Sequence, residues 1–450
     1  MLARRHSIRR GPSPPCEHDE RRIGAYTLGV ARTNAADATA PSKKLGGNFY
    51  KLWAASAISN FGDGIRLTAI PLLAATLTRD PGTIAGVFFA SSAPWLLFAL
   101  TAGALVDRLD RRHTMWTMQV VRMALMVVLT VAVVADLGST PMLVTLYVVA
   151  FLLGIGEVIF DNAAQAIMPA VVRKDQLQVA NGRLYAVEEA TNRFAGPPVG
   201  SFLFAAAAAL PFIVDAASFG IGAVLILSMT GSYAPARGAS AGTTSIRHEI
   251  AEGLRWLWRH RILRTLAVMT GVSNLTHSAT FAIFVLYALE ILELSEWGFG
   301  VILAASALGG LAGGLVAPSL ARFFGDGKSF YIITITAAIS EAIIGLTSNA
   351  IVVALAMIAF GMGAMWWNVI AVSLRQSIVP DQLLGRVNSV YRLLAWGTMP
   401  LGAVIGGGLA RLFGLRAPYF FSAIVLGLLT LYMLPIVSDR TIAEARAEAG

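Results

Sequence analysis

The stretch MLVTLYVVAFLLGIGEVIFDNAAQA, residues 142–166, is an apolar run carrying two carboxylates four positions apart, Glu157 and Asp161. A helix that crosses a hydrocarbon core of ~30 Å needs about 20 residues, which this run supplies. Comparable runs recur along the chain between short polar turns. They predict twelve spans, at about 49–76, 83–106, 114–135, 142–166, 180–206, 210–230, 265–289, 297–320, 329–348, 350–376, 383–410 and 417–437. Composition agrees: 56% of the 450 residues are hydrophobic, 14% are charged, and the mean hydropathy is +0.67. A soluble domain carries about 25% charged residues, so intrinsic disorder and a soluble multidomain enzyme are excluded. The fold class expected is an all-α membrane protein of twelve transmembrane helices.

The net charge of +9 does not point to nucleic acid, because residues 1–51 hold ten Lys/Arg against four Asp/Glu and leave only +3 for the remainder. Residues 1–48 read as a disordered, basic, cytoplasmic tail. They lack the apolar segment of a signal peptide after Arg4, Arg5, Arg9 and Arg10. Binding of lipid headgroups by those arginines is the alternative use of the tail. The sole cysteine, Cys16, supports neither a disulfide framework nor a cysteine metal site. Lys/Arg residues of the short loops gather on one side, at Arg108, Arg111, Arg112, Arg173, Lys174, Arg322, Lys328 and Arg386, against Arg79, Arg411 and Arg416 on the other. That asymmetry places both termini and the 231–264 linker in the cytoplasm of a multi-pass inner (plasma) membrane protein. Within the linker, Ile246, Ile250, Gly253, Leu254, Leu257 and Trp258 share one helical face, which predicts an amphipathic helix lying in the membrane interface.

The linker divides the chain into halves at 49–230 and 265–437, followed by a tail at 438–450, and the halves repeat each other. At an offset of 214, Asn60 meets Asn274, Gly86 meets Gly300, Ser92 meets Ser306 and Arg108 meets Arg322. Near an offset of 206, Asp175-Gln176-Leu177 meets Asp381-Gln382-Leu383, Tyr185 meets Tyr391, and Gly196 and Gly200 meet Gly402 and Gly406. Small and charged residues kept in register over this distance indicate two parallel, pseudo-symmetric six-helix repeats.

Two motifs connect this architecture to a family. Gly103-Ala-Leu-Val-Asp107-Arg108-Leu-Asp110-Arg111-Arg112, between the second and third spans, resembles the Gly-x-Leu-Ala-Asp-Arg-x-Gly-Arg-Arg signature of the major facilitator superfamily. Gly196-Pro197-Pro198-Val199-Gly200-Ser201 in the fifth span is similar to the Gly-Pro-x-x-Gly-Gly element of its antiporters, with Ser201 at the last glycine. Asp110 in place of a glycine, together with Ser59-Asn60-Phe61-Gly62-Asp63, Phe160 to Ala166, Pro211-Phe212 with Asp215 to Phe219, and Glu252 to Arg259, resembles the drug and siderophore exporter branch. Within it, the resemblance is to the enterobactin-exporter and macrolide-efflux proteins and extends across residues 49–437. The resemblance implies the major facilitator fold and a gating network of Gly103, Asp107, Arg108, Arg111 and Arg112 that stabilises the state closed to the cytoplasm. It also implies exchange of substrate for protons at Gly196, Pro197 and Gly200, although a packing role for that element is equally compatible. A third stretch, Gly325-Asp-Gly-Lys328-Ser329, imitates the end of a phosphate-binding loop but has Arg322 where that motif needs glycine.

Ionisable residues within a span are functional candidates because burying them is costly. Asp63 lies about 21 Å along the first span at 1.5 Å per residue, with Arg66 one turn on. They form either a structural ion pair or a proton site with its modulator. Glu157 and Asp161 resist ionising together, which makes them proton carriers unless Arg122 or Arg193 neutralises one. Asp63, Glu157 and Asp161 are therefore the coupling candidates. Arg66, Glu189, Asn192, His277, Trp366, Trp367 and Asn368 are the cavity candidates, since the resemblance implies that the first, fourth, seventh and tenth helices line the cavity. Glu189 with Arg193, His277 alone and the paired tryptophans also suit plain packing, and Glu341 in the ninth span has no evident role. The sequence thus predicts a monomeric exporter of a hydrophobic or amphipathic small molecule by proton antiport. Partners are substrate, protons and the bilayer, with no cofactor, metal or catalytic residue. An importer or uniporter of a polar nutrient on the same fold, or a non-transporting sensor, is the rival.

Overall fold

The computed structural model describes residues 45–106, 108–231, 233 and 246–449. Nearly all of the expected tail, Asp107 and much of the linker lie outside the described residues. Every regular element among the described residues is helical. The first half holds α1 (Gly47–Leu77), α2 (Pro81–Val106), α3 (Arg111–Val134), α4 (Ser139–Val171), α5 (Leu177–Glu188), α6 (Gly196–Ala206) and α7 (Leu210–Leu227). The linker forms α8 (Ile246–Arg259). The second half holds α9 (Arg261–Phe281), α10 (Glu296–Phe324), α11 (Asp326–Leu346), α12 (Ala350–Ile378), α13 (Asp381–Trp396), α14 (Met399–Phe413) and α15 (Ala417–Met433), and α16 (Asp439–Ala449) closes the chain.

These helices cover all twelve expected stretches. Eight are long and apolar enough to cross a membrane, and a ninth is added if Arg261–Phe281 and Phe284–Ile291, bent by 44°, count as one span. The other three fall short for local reasons. Ser59, Asn60, Asp63 and Arg66 dilute the apolar character of α1, and α15 is one turn short. The fifth stretch is divided by a π-helical segment, Glu189–Ala195, between α5 and α6. Pro197 and Pro198 follow that segment directly, and a proline has no N–H to continue the α-helical ladder. A wider turn absorbs the mismatch, as π-bulges do.

Small residues set how the halves meet. A Cβ on Gly196 would come within 2.5 Å of the Gly64 Cα, and one on Gly200 within 2.4 Å of the Ile65 carbonyl oxygen, so α6 lies directly on α1. Across the halves, a Cβ on Gly300 of α10 would stand 2.4 Å from the Pro197 carbonyl, and one on Gly407 of α14 would stand 2.6 Å from the Ala85 Cβ of α2. Contacts α6–α10 and α2–α14 therefore join the halves backbone to backbone. At the face opposite the start of α1 and the end of α15, one apolar core runs through both halves, from Leu73, Val87 and Phe212 to Phe284, Phe299 and Tyr419. At the face of those two helix ends, the core built on Leu257, Phe330, Trp366 and Val437 belongs to the linker and second half alone. The halves are thus joined at the far face.

Two ion pairs reinforce that junction. Arg79 Nη1 is 3.7 Å from Glu290 Oε1, and Arg411 Nε is 3.3 Å from Asp80 Oδ1. Asp80 also accepts hydrogen bonds from the Thr83 hydroxyl and backbone N–H, at 2.8 and 2.9 Å.

Candidate functional site

Four helices of the first half bring five charges together. On α1, Asp63 and Arg66 face the same way, and Arg66 Nη2 donates to Asp63 Oδ1 at 2.6 Å. Arg122 of α3 donates to the same oxygen, also at 2.6 Å. Arg66 further reaches Glu157 of α4 at 3.8 Å and Asp215 of α7 at 3.3 Å, the latter pair close but not aligned as a hydrogen bond. Arg122 is 1% exposed, with its guanidinium 4.2 Å from the Phe219 ring centroid, and Asp215 is fully buried. Room for this packing comes from Gly62, where a Cβ would overlap Ser218 Oγ and Asp215 Oδ1 of α7.

Glu157, Asp161 and Gln165 follow one another at four-residue spacing on α4, and Gln165 accepts a hydrogen bond from Arg392 of α13 at 3.2 Å. That face of α4 therefore looks onto the seam with the second half. Asp161 is in no ion pair among the described residues, so Arg122 pairs with Asp63 and neutralises neither Glu157 nor Asp161 by direct contact. Arg193 pairs with Glu189, at 3.4 Å. Glu189 and Asn192 belong to the π-helical segment, where Asn192 meets Asn60 at 3.4 Å.

The sequence profile of the transmembrane secretion effector family, within the major facilitator superfamily, matches residues 38–447. The chain belongs to that family. Curated proteins similar to this chain include the multidrug efflux pump Tap of Mycolicibacterium fortuitum, 28% identical over 86% of this chain and 94% of that protein. Another is macrolide efflux protein A of Streptococcus pyogenes, 23% identical over 83% and 92%. Among solved structures, the nucleoside transporter NupG superposes with a TM-score of 0.70 at 11% identity, over 87% of this chain and 99% of that one. The fold of this chain is that of a major facilitator transporter.

Other candidate residues stand apart from the charge cluster. His277 stacks on Phe360 at 5.2 Å and lies 5.7 Å from Phe281. Trp366 is buried against Phe324 in the core of the second half, whereas Trp367 packs edge-on against Phe330 and donates to Thr270. Asn368, next along α12, is exposed. Gly103 approaches Asn162, with 3.6 Å between a Cβ built there and the amide oxygen. In the gating loop, Arg112 donates to the Leu227 carbonyl of the first half and the Arg111 N–H to that of Tyr233 at the start of the linker. Among the described residues, no ion pair runs from Arg108, Arg111 or Arg112 to the second half. Nor does any group of three or more His, Cys, Asp or Glu there suit a metal ion.

Sequence reasoning overlooked Asp215 as a member of the site and weighed Arg122 only as an alternative neutraliser of Glu157 or Asp161, not as a partner of Asp63. The signal was present. Asp215 is the only ionisable residue of α7, and Arg122 the only one in α3 beyond its first turn. The rule that singled out Asp63 applies to both.

Proposed function

We propose that this chain is a secondary active transporter that exports a hydrophobic or amphipathic small molecule, of drug, macrolide or siderophore type, in exchange for protons. The kinship with a multidrug pump and a macrolide efflux protein supports export. The charge count at the site carries the proton half of the reading: three carboxylates, Asp63, Glu157 and Asp215, meet two guanidiniums, Arg66 and Arg122. Arginine stays charged in proteins, so full ionisation would leave an unmatched negative charge at membrane depth. One proton removes the excess, and Asp161 offers a further acceptor on the same face as Glu157. Protonation of Glu157 or Asp215 also frees Arg66 to answer an acceptor group of the substrate. His277, Asn192, Glu189 and Asn368 are the polar and aromatic contacts proposed around it, with Trp366 and Trp367 supporting them from the core.

In this reading all twelve stretches cross the plasma membrane, both termini are cytoplasmic, and the chain acts as a monomer. Closure at the far face corresponds to a conformation shut to the outside. The halves 49–230 and 265–437 rock about the charged site, and the Gly103 to Arg112 loop latches the cytoplasmic side in the opposite state. Acid-loaded everted membrane vesicles test the exchange: a panel of lipophilic drugs, dyes and siderophores is added, and collapse of the pH gradient is followed. Wild type should release protons with at least one compound, and Asp63→Asn should not. If the folded wild-type protein releases protons with none of them, proton antiport is wrong.

A further inference from the structure

A second ionisable group lies inside the helical bundle, far from the charge cluster in sequence and in structure. Glu341, in the last third of α11, is 4% exposed and forms no ion pair among the described residues. Among the described residues its one side-chain hydrogen-bond contact is with the Thr280 hydroxyl of α9, 3.4 Å from Oε1, while Oε2 has no partner. The Thr280 hydroxyl also lies 3.0 Å from the His277 carbonyl oxygen. A hydroxyl owns one proton, and a carbonyl oxygen can only accept. With that proton given to His277, Thr280 turns a lone pair towards Glu341, and two lone pairs repel unless a proton lies between them. The shorter contact to His277 favours that arrangement, in which the proton between Thr280 and Glu341 belongs to the carboxyl.

Among the described residues, no cation faces Glu341 to balance a charge. Tyr419 of α15 is buried with an unpartnered hydroxyl, and Tyr287 spends its hydroxyl on the Ile344 and Thr347 carbonyls. His277, on α9, directs its ring to Phe360 and Phe281. Arg416, the cation at that end of α11, donates to Gly345, Leu346 and Ser348. Neighbouring α12 has no ionisable side chain before Arg375, and α10 has only Glu296 and Arg322, near its two ends. A buried ionised carboxylate without a partner is prohibitively costly.

We propose that Glu341 is a second proton-binding site, a neutral carboxylic acid that donates to Thr280 in this conformation and releases its proton when α9 rearranges. Thr280 is one residue from the end of α9, where the chain bends by 44° into Phe284–Ile291. Losing the proton would leave a bare carboxylate facing the Thr280 lone pair, which favours movement at that bend. The proposal extends the proton-antiport reading to the second half, yet its first readout does not depend on transport.

Infrared difference spectra of the purified protein in liposomes test it. At neutral pH the wild type should show a protonated-carboxyl stretch that Glu341→Gln removes, and Thr280→Val should shift that band to higher frequency. Its amplitude should fall when the pH is raised or a transported drug is added. If Glu341→Gln leaves the protonated-carboxyl region unchanged, Glu341 is ionised and the proposal fails. If the band is present but indifferent to pH and drug, the proton is fixed and the proposal fails as well. Should Glu341→Gln not fold, the Thr280→Val shift decides whether the acid donates there. Failure of proton antiport would be separate, appearing as wild-type vesicles that release no protons whatever the infrared result.

Discussion

Arg122 holds Asp63 from one side while Arg66 holds it from the other, and both bonds end on the same carboxylate oxygen. Removing one partner of a buried ion pair costs about 3–5 kcal/mol, because the remaining charge is stranded. Arg122→Met should therefore lower stability by about that much in detergent, read by thermal unfolding. Adding Asp63→Asn to Arg122→Met should recover part of the loss, whereas two independent effects would simply add. At this scale the sequence was half legible. Asp63 with Arg66 and Glu189 with Arg193 follow from helical spacing, since residues three or four apart share a face. The Arg122–Asp63 and Arg66–Asp215 contacts do not, because spacing within a helix is silent about which helix stands opposite. Trp366 and Trp367 show the same limit: adjacent on α12, they point in different directions, one onto Phe324 and the other onto Phe330 and Thr270.

Among the elements, the π-helical segment and α6 form the most constrained stretch. Pro197 and Pro198 announced a kink, and Gly196 and Gly200 a close approach, and both are present; the π-helical form of the break was not readable from residue types. The glycine of α10 that completes this seam makes a sharp prediction. A Cβ at Gly300 meets the Pro197 carbonyl oxygen and Ser201 Oγ at 2.4 Å, and a carbonyl of a packed helix cannot rotate away. Overpacking of this kind costs about 1–3 kcal/mol, so Gly300→Leu should lower the unfolding temperature. Gly408→Leu, on α14 where the space is open, is the control and should not. The linker helix was legible as amphipathic, but its apolar stripe is divided. Gly253 and Leu257 are buried, with Gly253 against the Arg386 carbonyl of α13, while Leu254 and Trp258 remain exposed. A Glu252–Arg386 ion pair of 2.6 Å fixes this docking. Periodicity alone could not divide the stripe between protein and surroundings.

For the whole molecule, the question is what holds the far face shut. The continuous apolar core and the glycine contacts do most of it, because partly exposed ion pairs contribute only about 0.2–1 kcal/mol each. Neutralising Arg411 alone should hardly change the conformational balance. Reversing charge at both pairs, with Arg79→Glu and Arg411→Glu, sets like charges against Glu290 and Asp80 and should move the population towards a far-face-open state. Spin labels at Leu137 and Ile351, exposed positions on that face in opposite halves, report this as a longer distance component; Cys16 is replaced beforehand. The pH dependence has a definite sign. Hydrogen bonds from the Thr83 hydroxyl, aided by its N–H and by Arg411, hold the Asp80 carboxyl below the usual carboxylate range. A group so depressed contributes fully above its ordinary value near 3.9 and is lost only as pH falls through the lowered one. In a variant whose acids within the helical bundle are neutralised by Glu157→Gln, Asp161→Asn, Asp215→Asn and Glu341→Gln, the label distance should stay constant from pH 8 to pH 5. The same scan on the otherwise unmodified labelled protein isolates those acids: any change between pH 8 and pH 5 that the variant lacks comes from them and not from the far-face pairs. A pH-dependent opening that persists in the variant would assign the response to the surface contacts and remove the conformational role proposed for those acids.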